Sequence, residues 1–257
     1  MLELKNITKY YNPGTVNELC LFEHFDLAVS DGQFVSVVGS NGSGKTSMLN
    51  LICGSIDADQ GQILVNGDDI TGKKEFERHR SIGRVFQNPA KGTCPSMTIF
   101  ENMSIADRKG KGYGLRQGKN RKKAETYREM LRDLNLGLED KMEVKAGALS
   151  GGQRQALALL MAAMAPIEFL ILDEHTAALD PRTAELVMEL TGRIVKQKQV
   201  TTIMVTHNLR YAVEYGDRLL MMHQGKAVMD CTGEEKAGLK VEDILKTFNE
   251  ISIECGN

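Results

Sequence analysis

The chain has 257 residues, which suits one large α/β domain with an ample core. Its 32 basic and 34 acidic residues nearly cancel, so no global field draws it to nucleic acid. The apolar fraction is an ordinary 42%, and no apolar run approaches the roughly 20 residues of a membrane span.

Strand-like runs occupy 2–7, 25–29 and 33–38, behind an N-terminus that is charged from residue 3 and has no signal-peptide core. The third run feeds GSNGSGKT, Gly39 to Thr46, which fits G-x-x-x-x-G-K-[ST] without a departure, and a helix is expected to open near Lys45. In that strand–loop–helix context Gly39, Ser40, Asn41, Gly42, Ser43 and Gly44 read as a loop whose backbone N–H groups surround the phosphates of ATP. The helix adds its positive N-terminal end and Lys45 a point charge. The Thr46 hydroxyl suits Mg²⁺, and Ser47 is placed to donate to the α-phosphate.

Further strand-like runs follow at 62–65 and 82–86. From 88 to 165 the pattern turns helical, at 98–106, about 120–135 and 151–165, and predicts an inserted helical subdomain without a strand of its own. Residues 1–87 and 166–257 then form the catalytic core. Inside the insert, 108–123 holds eight Lys or Arg, four Gly and no acid. A solvated loop is the first reading of that block, and a segment near anionic lipid or an acidic partner is the alternative. Ser150 and Gln153 form an S-x-x-Q capping box ahead of the last helix. Capping does not explain Gly151 and Gly152, which are poor helix formers and suggest close backbone approach by another group.

FLILDE, 169–174, predicts a buried strand ending in Asp173 and Glu174 at the sheet edge where α/β folds bind ligands. Asp173 suits Mg²⁺, and Glu174 suits orienting and deprotonating an attacking water. A helix over 181–197 follows, capped by Asp180 with Pro181 behind it. Its apolar stripe is Leu186, Leu190 and Ile194, broadened by Val187 and Val195. Strands at 201–205, 217–222 and 226–229 and a short helix near 241–250 complete the chain. Strands alternating with helices imply a mostly parallel central sheet. The five cysteines are scattered, with no C-x-x-C or zinc spacing, and read as reduced thiols.

With these parts in order, the chain resembles the nucleotide-binding ATPase subunit of ATP-binding-cassette (ABC) transporters over essentially its whole length. The resemblance implies a P-loop NTPase core with an N-terminal antiparallel β subdomain and a helical signature subdomain. It assigns Tyr11 in ITKYY to the aromatic that stacks on adenine, with Tyr10 its competitor. Gln87 in RVFQNP becomes the Q-loop glutamine that touches Mg²⁺ and the attacking water. Ser150, Gly151, Gly152 and Gln153, in LSGGQ, become the signature that meets the γ-phosphate of ATP on a second copy. Asp180, in AALD, falls in the loop that crosses the dimer interface, and His207, in VTHN, is the switch histidine. Two copies then pack head to tail around two ATPs.

Two departures stand out. His175 follows Glu174 where Pro is usual, which leaves pH sensitivity open beside a bland loop substitution, and Ser40 stands where Pro is common. Without a membrane span, the resemblance implies separate transmembrane permease subunits, a solute-binding protein in the same system, and a peripheral place on the cytoplasmic face of the plasma membrane. That arrangement is typical of prokaryotic importers, and residues 94–103 then line the groove for a coupling helix. The stretches CPSMTIFENM, GYGLRQGKNRKK and LDEHTAALDPRTAELVMELT are also similar to ATPase subunits of bacterial uptake systems for tryptophan or tyrosine. A cassette scaffolding iron–sulfur assembly, a DNA-repair cassette and a regulatory nucleotide-binding module are the competing classes. The complete signature, the short insert and the presence of both Glu174 and His207 weigh against them in turn.

Overall fold

A computed structural model describes residues 1–110 and 121–254. Residues 111–120 of the basic block, and Cys255, lie outside them. In chain order the elements begin with β1 (Leu2–Tyr11), β2 (Leu19–Val29), β3 (Phe34–Gly39), α1 (Lys45–Cys53), β4 (Gln60–Val65) and β5 (Asp68–Asp69). Next come α2 (Glu75–Arg78), β6 (Ile82–Val85), α3 (Ile99–Ala106), α4 (Ala124–Arg132), α5 (Gly151–Met164) and β7 (Phe169–Asp173). The last are α6 (Pro181–Lys198), β8 (Thr201–Val205), α7 (Leu209–Glu214), β9 (Arg218–His223), β10 (Lys226–Thr232), α8 (Gly233–Gly238) and α9 (Val241–Glu254). The short elements β5, α2, α7 and α8 carry too few residues to register as a period, and were not expected from the pattern.

Two compact units divide the chain, Met1–Lys73 with Thr201–Asn257, and Lys74–Val200. In the first unit, β1 lies antiparallel between β2 and β4, and β5 continues that sheet beyond β4. β1 runs four residues past the expected 2–7 because bulges interrupt its alternation. Asn6 and His24, on facing strands, both have positive φ (53° each) where the register shifts. In the second sheet β3 pairs in parallel with β8 on one side and β9 on the other, and β10 closes against β9 antiparallel. Every residue of β3 and β8 is buried, so both faces of these strands are covered. One face packs Val38, Leu219 and Met221 on Ala212 of α7 and Ile244 of α9.

In the second unit β6 and β7 pair in parallel, from Ile82 opposite Phe169 to Val85 opposite Leu172. Between 88 and 165 the described residues form helices, single 3₁₀ turns and one isolated bridge, Thr98 to Lys145. Helix α6 starts where expected but its buried face differs from the expected stripe. Ala184, Val187, Met188, Leu190, Thr191, Ile194 and Val195 are buried, whereas Leu186 is 46% exposed. A repeat of four drifts by about 40° per step on a helix of 3.6 residues per turn, so Leu186 rotates out of the face that Ile194 occupies. Leu190→Ala should therefore destabilise by about 2–5 kcal/mol, whereas Leu186→Ala should stay within about 0.5 kcal/mol. Denaturant unfolding of the two variants checks this, and equal losses would reinstate the four-residue stripe.

Candidate functional site

The glycine-rich loop leaves the C-terminal edge of β3 and returns as α1. Gly44 is the residue before the helix, at φ 103°, a left-handed conformation open to glycine. A Cβ there would also press on the Phe22 ring, 2.9 Å from Cζ. Lys45, on the first turn, is only 5% exposed. Its Nζ donates to the Gly39 carbonyl at 2.7 Å, the Ser40 carbonyl at 2.8 Å and the Ser43 hydroxyl at 3.2 Å. The ammonium thus organises the loop from inside, and Thr46 beside it is exposed.

Tyr11, at the end of β1, shares a hydrogen bond of 2.9 Å between its hydroxyl and that of Ser47. That contact seats Tyr11, and not Tyr10, against the first turn of α1. Tyr10 turns to Cys20, whose hydrogen bond and charge push its phenol above the ordinary value. His207 follows β8 at the same sheet edge as the loop, because Thr206 N–H donates to the Val37 carbonyl at 3.1 Å. It is exposed, and Asn208 after it caps α7 through Tyr211 N–H at 3.3 Å.

In the second unit Asp173 ends β7 and Glu174 turns the chain away with φ 48°. A non-glycine residue at positive φ is uncommon, and at a strand end it swings the following segment sharply off the sheet. Arg84 on β6 donates from Nη2 to Asp173 Oδ2 at 3.0 Å, with the two side chains 7% and 15% exposed. Gln87, just past β6, is exposed, and the carbonyl of Phe86 before it accepts from Gln155 Nε2 at 3.1 Å. Gln155 is fully buried on α5, so it fastens the signature helix to the chain beside Gln87.

The capping box forms as expected. Gln153 N–H donates to Ser150 Oγ at 3.2 Å and Ser150 N–H to Gln153 Oε1 at 3.3 Å. Gln153 Nε2 also reaches the Leu136 carbonyl at 3.2 Å. The glycine pair divides. At Gly152 a Cβ would collide with Thr183 Cγ2 on α6, so close packing within this chain accounts for that glycine. At Gly151 a Cβ would meet only Leu179 Cδ2 at 3.7 Å, an ordinary contact, and the position is exposed. Both positions thus stay without a side chain, Gly152 because α6 fills the space and Gly151 with its outer side open. Asp180 caps α6 by accepting from Thr183 N–H at 3.1 Å, and that hydrogen bonding lowers its pKa.

His175 is buried, and its Nε2 lies 3.1 Å from the Thr191 hydroxyl on α6. Thr191 donates its own hydrogen to the Val187 carbonyl at 2.7 Å, so Nε2–H is the donor to Thr191. Burial lowers the His175 pKa to about 4. The ring is therefore neutral across the physiological range and works as packing.

The expected metal ligands are all hard oxygen donors, with the Thr46 hydroxyl in the first unit and the Gln87 amide oxygen and Asp173 carboxylate in the second. The described residues contain no cluster of three or more His, Cys, Asp or Glu arranged for a metal. Donors of that chemistry suit Mg²⁺, which takes oxygen ligands and keeps its waters, and not a metal held by thiolates or imidazoles. The four described cysteines are free.

Arg84, Gln155 and Thr183 were not anticipated as site residues. A lone arginine in the apolar run 82–86 was the available signal for the first. The other two depend on which helices meet, which local pattern does not carry.

The family model described as ABC transporter matches residues 22–177. A tyrosine transport ATP-binding protein of Clostridioides difficile is 47% identical over 96% of this chain and 98% of its own length. The spermidine/putrescine import ATP-binding protein PotA of Haemophilus ducreyi is 34% identical over 91% of this chain, which spans 59% of that protein. Among solved structures, the post-hydrolysis dimer of the ATP-binding cassette MJ0796 with ADP and Pi superposes with a TM-score of 0.76 at 28% identity, over 90% of this chain and 98% of that one. The ADP conformation of the cassette MJ1267 gives a TM-score of 0.79 at 26% identity, over 100% of this chain and 99% of that one.

Two outcomes check this geometry. Gly152→Ala should cost about 1–3 kcal/mol by overpacking, and Thr183→Ser, which removes the colliding methyl, should restore most of it. Gly151→Ala should not destabilise. Denaturant midpoints of the four proteins decide, and equal behaviour of both glycines would refute the partition. For His175, the unfolded chain takes up a proton near pH 6.5 that the folded chain refuses until about pH 4. Stability should fall as pH drops through that window, by about 3 kcal/mol in full. His175→Gln should flatten this part of the thermal-midpoint profile, and an unchanged slope would contradict the buried neutral ring.

Proposed function

The chain belongs to the ABC transporter family, and we propose that it is the ATP-hydrolysing subunit of an importer that moves an aromatic amino acid. It is an ATP-binding cassette ATPase, and such cassettes dimerise and act with membrane permease subunits. Among the described residues no helix is long and apolar enough to cross a membrane. The importer reading places the protein on the cytoplasmic face of the plasma membrane through its permease, served by a solute-binding protein. The observation that carries the cargo class is the 47% identity to the tyrosine transport ATP-binding protein across nearly the whole of both chains. The PotA protein of Haemophilus ducreyi, at 34% identity, is less similar, so polyamine is the weaker reading of the cargo.

Residues 1–87 and 166–257 then act as the catalytic core and 88–165 as the helical subdomain. In that role Gly39 to Thr46 and Ser47 hold the phosphates, with Lys45 neutralising charge on the β- and γ-oxygens. Tyr11 lies against adenine. Thr46, Asp173 and Gln87 would hold Mg²⁺, which would supply neutralisation of phosphate charge. Glu174 orients and deprotonates the attacking water, and His207 contacts the γ-phosphate. Ser150, Gly151, Gly152 and Gln153 face the ATP of a second copy, with Asp180 near the same interface. The left-handed backbone of Glu174 supports its assignment, because strained φ/ψ concentrates at functional turns.

Glu174→Gln should retain ATP, lower turnover by about 10²–10⁴-fold and accumulate a dimer. Nucleotide binding, single-turnover hydrolysis and light scattering measure this, and a wild-type ATPase rate would sink the general-base assignment. Reconstitution with its permease in vesicles tests cargo: ATP-driven uptake of tryptophan or tyrosine is expected, and uptake of spermidine alone would overturn the cargo class.

A further inference from the structure

The ion pair between Arg84 and Asp173 has no role in the reading above. β6 and β7 run parallel with Arg84 opposite Ile171, so Asp173, two residues further, shares the face of β7 that Ile171 presents. Arg84 extends along that face to the carboxylate, 3.0 Å from Nη2 to Oδ2. Its guanidinium carbon lies 4.7 Å from the centre of the Phe86 ring, and Lys91 Nζ sits 6.0 Å from the same ring. The arginine side chain is 7% exposed. Arginine does not lose its charge in a protein, and a buried charge is tolerated only when paired. The guanidinium lies over the Phe86 ring, and the carboxylate supplies the charge that burial demands.

We propose that Arg84 is a positioning residue that holds Asp173 as its counter-ion until a nucleotide-borne metal takes the carboxylate, thereby setting the metal concentration at which the cassette loads. This rests on the reading of Asp173 as a Mg²⁺ ligand. A bare divalent cation approaching Asp173 meets a fixed positive charge already seated there, and the repulsion raises the concentration it needs. A cation carried by a triphosphate brings negative oxygens that offset the same charge. Arg84 therefore admits metal with nucleotide and disfavours metal alone. In the absence of either, it also keeps Asp173 from repelling Glu174, its neighbour in the chain.

The test titrates Mn²⁺ by electron paramagnetic resonance, with and without a non-hydrolysable ATP analogue, on the full-length protein. Arg84→Gln keeps a neutral donor to Asp173, and Arg84→Met keeps the apolar stack on Phe86 should the glutamine variant not fold. Either should lower the half-saturating Mn²⁺ concentration by about tenfold, with the larger gain for Mn²⁺ alone. Arg84→Lys, which retains the charge, should stay within about twofold of wild type. Asp173→Asn should raise the half-saturating concentration. Thermal midpoints of the metal-free proteins should fall in both neutral variants. A wild-type Mn²⁺ curve in Arg84→Gln and Arg84→Met, beside a raised one in Asp173→Asn, would reduce Arg84 to a structural residue. An equal lowering in Arg84→Lys would overturn the charge argument. An unshifted Asp173→Asn would remove the ligand assignment, and this proposal with it.

Discussion

A buried ammonium on the first turn of α1 is the constraint around which the nucleotide loop is built. Lys45 is too enclosed to be hydrated, so the loop must supply acceptors, and the Gly39 and Ser40 carbonyls and the Ser43 hydroxyl do so. The Ser40 carbonyl accepts from the Ser43 N–H as well, at 3.2 Å, which closes the turn around the ammonium. The residue proposed to neutralise phosphate is thus also the one that holds the loop's shape. β3 can present such a loop because its own residues are wholly buried and hydrogen-bonded on both sides, which makes the strand end a rigid point of departure.

Helix α5 has the corresponding place in the other unit. Its first turn is capped by Ser150, seated on Thr183 through Gly152, and held to the Leu136 carbonyl through Gln153. Arg154 Nε donates to the Ala146 carbonyl at 3.0 Å and Gln155 to that of Phe86. Four consecutive side chains or backbone atoms thus tie one helix end to four different segments. Asn102 does the same for the stretch beside it, donating to the Cys94 and Thr98 carbonyls at 3.0 and 2.9 Å and accepting from Cys94 N–H at 2.7 Å. These segments are therefore loops in name, with positions fixed by buried amides, and a displacement at one is felt by the next.

What could be read in the amino-acid order was whatever obeys local rules. The loop glycines, the Asp180 and Ser150 caps, and the strand ending at Asp173 depend on backbone geometry within a few residues, and each stands where the pattern placed it. The long range was not legible. Nothing in the order of residues near Gly152 says that α6 delivers Thr183 against it, which is a separate reason for a glycine there. Leu186 looked buried because a repeat of four resembles a helical period until several turns accumulate the drift. His175, which invited a titration argument as an ionisable replacement for proline, is instead closed off by Thr191 sixteen residues later. Arg84 was an isolated charge until β7 brought Asp173 to it.

The contact between Tyr11 and Ser47 also makes the protein its own optical reporter. The chain contains no tryptophan and only six tyrosines, so tyrosine emission is not drained by an indole or hidden beneath one. The Tyr11 phenol is joined to a hydroxyl on the first turn of α1, where the nucleotide is proposed to sit. Any occupant that recruits Ser47 or covers the Tyr11 ring changes the environment of one of a handful of fluorophores. Native ultraviolet fluorescence can then follow loading of the cassette without a dye, a label or an altered residue.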